Sequence, residues 1–157
     1  MLVDLEPGCE RLHVGDRIDS TTTWCRPQML PAEVVSWDVP VRVERVAANR
    51  TGEYDWIARN HGHICALLSD WKESPGPTAI SGCLMYDRYL HLFHRTVPTT
   101  HGRIVRRAFV TRQAHRTPTP HGGYSVTLSG PPTLTECGAV PSDSTVTWNC
   151  VELDTDQ

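Results

Sequence analysis

Five arginines, Arg103, Arg106, Arg107, Arg112 and Arg116, fall within one stretch of fourteen residues. Guanidinium groups grip phosphate and carboxylate bidentately and stack on planar bases. Tyr89, Phe93 and Phe109 are interleaved with this stretch and its approach, and aromatic side chains on a strand face can stack on single-stranded bases. The charge map isolates the segment. Residues 1–87 carry eight Lys and Arg against thirteen acids, residues 88–121 carry seven Arg and no acid, and residues 122–157 carry five acids and no Lys or Arg. The middle window also holds five of the eight histidines. A chain of net charge −3 therefore contains one strongly basic segment, read as a hairpin. Its chemistry admits two readings. One is an anion-binding face for nucleic acid or an acidic protein partner. The other is internal matching to the acidic flanks, since opposite charges across a sheet stabilise it by about 0.2–1 kcal/mol per pair. Arg106 and Arg107 point to opposite faces of a strand, so one of them is expected to be covered.

Histidine and cysteine supply the next candidates. His61-Gly62-His63, if extended, would project two imidazoles to one side. This resembles the His-x-His of cupin metal sites, which implies a metal-dependent jelly-roll enzyme as the alternative function, with His61 and His63 as ligands. The glutamate that the pattern expects a few residues later is missing, since Glu73 stands ten residues beyond His63. His91-Leu92-Phe93-His94 would split its rings between two strand faces, and no pair of cysteines has zinc-finger spacing. The expectation is therefore no cofactor, with a metal at His61 and His63 as the exception. The six cysteines are Cys9, Cys25, Cys65, Cys83, Cys137 and Cys150. A catalytic thiol needs a base and a positive surround, and Cys65 and Cys83 read as core positions instead. No nucleophile elbow, phosphate loop, dinucleotide fingerprint or HExxH occurs. The leading expectation is a non-enzymatic binding module.

These residues need elements to position them. With 157 residues, 39% hydrophobic and 21% charged, the chain can form one domain with a substantial core. It is read as a single β-rich domain over 1–153 followed by a frayed tail over 154–157. No apolar run is long enough to span a bilayer, and the acidic start lacks the pattern of a secretory leader. The expectation is a cytoplasmic protein with no membrane contact and free thiols. Fourteen arginines against the single Lys72 suggest a GC-rich, actinobacterial host or its phage. A third functional reading follows from that, a structural or accessory subunit of a phage or host-defence assembly.

Proline and glycine punctuate the chain at the spacing of short strands. The expected fold is mainly β, a small antiparallel barrel or sandwich of six to nine strands with at most one or two short helices. Strands are predicted from Val14, over 32–37, 41–47, 78–86, 89–97, 103–112, 124–128 and 145–153. Residues 117–123 and Gly130-Pro131-Pro132 are predicted loops. Gly82 within a strand marks a bulge or a close backbone approach. A helix is predicted after Thr51, with Glu53 and Asp55 in its first turn, Arg59 and His61 in its last, and Gly62 beyond it. The competing reading is a hairpin of 55–59 against 63–69, turning at Asn60-His61-Gly62.

The order of landmarks carries a resemblance. Val14-Gly15-Asp16-Arg17-Ile18, Trp24, Asp55-Trp56-Ile57, His61-Gly62 and a strand over 78–86 after a Pro-rich turn are similar to an uncharacterised β-rich domain family of actinobacteria. The likeness covers the first ninety residues. That family opens on more cysteines than Cys9 and Cys25. The resemblance implies a β-rich fold and no activity or site residues.

Overall fold

A computed structural model describes residues 1–3, 12–50, 52–68, 71 and 74–155. Cys9, Thr51, Ser69, Lys72 and Glu73, and the last two residues of the expected tail, lie outside these. Nine strands form among the described residues: β1 (Leu2–Val3), β2 (Arg17–Cys25), β3 (Ser36–Ala47), β4 (Tyr54–Asn60), β5 (His63–Ala66), β6 (Gly76–Tyr86), β7 (Thr99–Pro118), β8 (Tyr124–Glu136) and β9 (Ser144–Asp154). One four-residue helix, α1 (Leu90–Phe93), and two 3-10 turns complete the set. The fold is mainly β, as expected. No helix among the described residues is long and apolar enough to cross a membrane.

All nine strands belong to one sheet, and its pairings run in rings. β2 pairs with β5, β5 with β4, β4 with β3, β3 with β6, and β6 returns to β2. A second circuit runs from β2 through β7, β9 and β1 to β6. Among the described residues, only the β1–β6 and β2–β5 pairs are parallel. Strand β2 serves both circuits, so neither of its faces meets solvent near its end. Thr22, Thr23 and Trp24 are buried in succession. Buried hydroxyls need partners, and both have them. Thr22 Oγ1 lies 2.8 Å from Thr100 Oγ1, and Thr23 Oγ1 donates to the Ala66 carbonyl. One core packs Trp24, Val43, Ala58, Cys65 and Ile80. A second joins Leu2, Cys83 and Val110, and a third joins Val3, Ile104 and Val151 on the other side of the β7–β9 pair.

Gly82 makes the close approach expected of it. Its φ is 152°, and a Cβ there would run into the Cys25 carbonyl oxygen and Trp24 Nε1. The same indole donates to the Ser81 carbonyl at 3.1 Å, and a bulge in β3 faces this point.

Four local expectations are corrected. The strand predicted over 32–37 is a 3-10 turn over Ala32–Val34 that leads into β3 at Ser36. The helix predicted after Thr51 is the competing hairpin of β4 and β5. Asn60 pairs with His63, leaving His61 (φ 45°) and Gly62 (φ 86°) as a two-residue turn with both φ positive. That is the turn that matches strand twist, and burial of Ile57 and Ala58 within β4 outweighs the capping signals. The strand predicted over 89–97 is the turn and helix α1. Asp87 Oδ1 accepts the Tyr89 N–H at 2.9 Å, an Asx-type turn that bends the chain. Of the apolar residues there, Leu90 is buried while Leu92 and Phe93 face solvent. The basic segment is thus a helix and one long strand, not a hairpin closed on itself. Finally, Gly130-Pro131-Pro132 is no loop but a bulge within β8, three residues opposite Arg112. Prolines are tolerated there because β8 is an edge strand and needs no outward donors.

Candidate binding surfaces

Strand β7 carries all five predicted arginines, and the geometry distributes them rather than gathering them. Arg103 and Arg116 are separated by about 40 Å of extended chain. Arg103 stands between Arg17 on β2 and Asp154 on β9 and donates to the Gly15 carbonyl at 3.0 Å. Arg106 is opposite Glu152 and lies 3.6 Å from Glu136 on β8. Arg107, its neighbour, pairs with Val151 and turns to the other face, half-buried. Arg112 sits in the bulge and donates from Nη2 to the Gly130 carbonyl at 3.0 Å, while its Nε is buried without a partner. Arg116 is exposed and, among the described residues, its side chain has neither hydrogen bond nor ion pair.

The aromatic set is split as well. Tyr89, just before α1, and Phe93, its last residue, are exposed, and the Arg88 guanidinium lies 4.8 Å from the Tyr89 ring centre. Phe109 is half-buried in the middle of β7, opposite Asn149 and Thr135. The three do not share a surface. His61 and His63 are also parted, because the turn at His61 breaks the extended backbone that a shared side requires. His63 accepts the His101 N–H at Nδ1, so its Nε2 carries the proton and donates to the Thr155 carbonyl, each at 3.3 Å. Both ring nitrogens are therefore engaged. His101 in turn lies 3.2 Å from Asp19.

The described thiols, Cys25, Cys65, Cys83, Cys137 and Cys150, are all free. Burial pushes Cys65 up to about 12. Burial, reinforced by neighbouring Cys83, also raises Cys25, and burial raises Cys150. A nucleophilic thiol needs the opposite shift.

A different surface emerges from the register of β7 and β8. Strand β9 leaves β7 at the Gln113–Ser144 pair. Beyond it, the Ala114 N–H still donates to the Asp143 carbonyl at 2.8 Å, and from His115 onward β7 has only β8 beside it, through Arg116–Val126 and Pro118–Tyr124. The result is a two-stranded arm extending about 13 Å past the sheet. Residues directly opposite share a face. One face therefore carries Ala114, Arg116, Pro118, Tyr124, Val126 and Leu128. The reverse face is polar, with His115 bonded to Ser129 at 2.8 Å and Thr117, Ser125 and Thr127 beside them. The apolar face is open. Tyr124 is 68% exposed and Val126 52%. At the tip, Thr119 donates its N–H to the Gly123 carbonyl and its hydroxyl to the Gly122 carbonyl and accepts the Gly122 N–H, and Gly122 and Gly123 supply positive φ. Among the described residues, the outer edge of β8 pairs with no strand. The signal for this surface was the alternation Tyr124-x-Val126-x-Leu128, which reads as a covered strand face. Nothing in that alternation shows that β9 stops short of it.

Comparison with protein-family models, with curated proteins and with solved structures finds no match to this chain.

Proposed function

We propose that this chain is a non-enzymatic binding module whose β7–β8 arm docks an acidic strand of a protein partner. The observation that carries this reading is the open apolar face of Pro118, Tyr124, Val126 and Leu128 around the unpaired cation Arg116. Exposed apolar patches on soluble domains mark interaction sites. An extended segment laid along the free edge of β8 would exchange main-chain hydrogen bonds with it and set alternate side chains beside Val126 and Tyr124. No Asp or Glu occurs between residues 88 and 135, so charge complementarity favours an acidic segment. Nucleic acid shares the charge but fits less well. Phosphate binding draws on many free cations, whereas Arg103 and Arg112 are committed to carbonyls and Arg106 faces Glu136.

The test is fluorescence anisotropy with a short labelled peptide of alternating Glu and Val, beside a single-stranded DNA of equal charge. The peptide should bind the native protein. Arg116→Glu and Tyr124→Ala should each weaken that binding while the melting temperature moves by no more than about 2 °C, since exposed substitutions stay within about 0.5 kcal/mol. Absence of peptide binding, or DNA binding with a steep salt dependence and no peptide binding, overturns the reading.

A further inference from the structure

Apart from the arm, the molecule contains a cavity of about 470 Å³ between its two circuits of strands. Sites for small organic ligands occupy about 300–1,000 Å³ and combine apolar walls with a few convergent polar groups. Here Trp24, Val41, Ile80 and Leu84 supply apolar wall from β2, β3 and β6, and β7 and β9 close the opposite side. The charged groups along that side decide the class of ligand. Arg106 is matched by Glu152 directly across the ladder and by Glu136. Glu33 and Glu152 also border the space, but both are exposed, where water screens them. Arg107 differs from all of these. It is half-buried, opposite Val151 in the ladder, it lines the cavity, and among the described residues its side chain has no hydrogen bond and no ion pair. A guanidinium at the cavity wall with no counter-ion offers its fork of N–H donors to an anion that enters.

We propose that this cavity binds a small apolar carboxylate, a medium-chain acyl anion, with its chain against Trp24 and Ile80 and its carboxylate on Arg107. The site is separate from the arm and does not depend on the arm's function. A planar guanidinium takes a carboxylate bidentately, and a flexible chain suits a space bounded by side chains from several strands. Each methylene moved from water into such a wall strengthens binding about fourfold.

Isothermal calorimetry of the full chain with decanoate, octanoate and decanol tests this. Decanoate should bind saturably at one per chain. Octanoate, shorter by two methylenes, should bind about 15-fold more weakly. Decanol, which lacks the charge, should bind about 10- to 100-fold more weakly than decanoate, the range for a lost hydrogen bond to a charged group. Arg107→Leu should bring decanoate down to the level of decanol and leave decanol unchanged, which also reports that the cavity is intact. If Arg107→Leu loses both ligands, Arg107→Lys decides. A retained preference for decanoate supports the site, and its loss overturns it. No saturable heat with decanoate up to about 1 mM, equal affinity for decanoate and decanol, or a decanoate preference that survives Arg107→Leu also overturns it.

Discussion

Replacing Arg112 and Arg116 by alanine, one at a time, separates the arginines that hold β7 in place from the one free to meet a partner. Arg112 donates to the Gly130 carbonyl at 3.0 Å and so fastens the strand to the bulge in β8. A hydrogen bond from a charged group contributes about 1.5–3 kcal/mol. Against this, its Nε is buried without a partner, and removing that group recovers about 1 kcal/mol of desolvation. Gly130 is exposed, so its freed carbonyl turns to water at no further penalty. The net loss for Arg112→Ala is about 0.5–2 kcal/mol, or about 1–8 °C in melting temperature for a domain of this size. Arg116→Ala removes no side-chain hydrogen bond or ion pair among the described residues and should stay within about 0.5 kcal/mol. Binding to the acidic peptide should show the reverse order, with Arg116→Ala weakening it and Arg112→Ala affecting it little. Calorimetric melting and anisotropy on the same preparations give both readings. Equal stability losses, or a larger binding loss for Arg112→Ala than for Arg116→Ala, would refute the division of roles along β7.

Two further predictions concern the frame. Gly82→Ala sets a Cβ against the Cys25 carbonyl and the Trp24 indole at a φ of 152° that side chains rarely adopt. Strain and overpacking together should cost about 3–5 kcal/mol, whereas Gly130→Ala, with open space around its Cβ, should lose only about 1–2 kcal/mol. Urea unfolding of both variants checks the contrast, and similar midpoints would count against the close approach. Cys65 supplies a pH dependence. Its thiol is raised to about 12 from an ordinary 9.0 by burial. The folded state therefore keeps the proton longer than the unfolded state. Its contribution is intact below about 9 and is lost as pH rises from about 9 to about 12, at about 1.4 kcal/mol per pH unit. Urea midpoints measured upward from pH 8 should fall more steeply in the native protein than in Cys65→Ala, where only the buried Cys25 and Cys150 thiols still contribute.

Strand patterning was legible where a strand buries one face or both. Residues 41–47, 78–86, 103–112 and 145–153 all fall within strands. So was Gly82, because only a residue without a side chain fits where two backbones nearly touch. What failed was local signal overruled by tertiary burial. Thr51, Glu53, Asp55 and Gly62 spell a helix, but Ile57 and Ala58 bury better in a hairpin. Leu90 and Leu92 alternate as in a strand, yet only Leu90 has a core to enter. The arginines were legible as a basic run but not as a surface. Whether a guanidinium finds Gly15, Glu136 or Gly130 depends on which strands flank β7, and the order of strands in a sheet has no local trace.

That strand order also explains why fold and binding can vary separately. Strands β2 and β6 each belong to both circuits, and the pairs that close the sheet set buried Cys83 opposite Cys25 and buried Thr22 opposite Tyr86. Changes there act on the whole structure. The arm is related to the frame in the opposite way. It begins where β9 ends, at Gln113, and its face of Tyr124, Val126 and Leu128 touches no core cluster. An isolated two-stranded ribbon is at best marginally stable in water. Here the long ladder between Ala108 and Glu136 and between Thr111 and Thr133 fixes its register at the base, with Thr111 Oγ1 bonded to both Thr133 and Thr135. The base thus holds in place an arm whose own apolar face still gains from being covered, and substitutions along that face can change the partner without disturbing the closed frame.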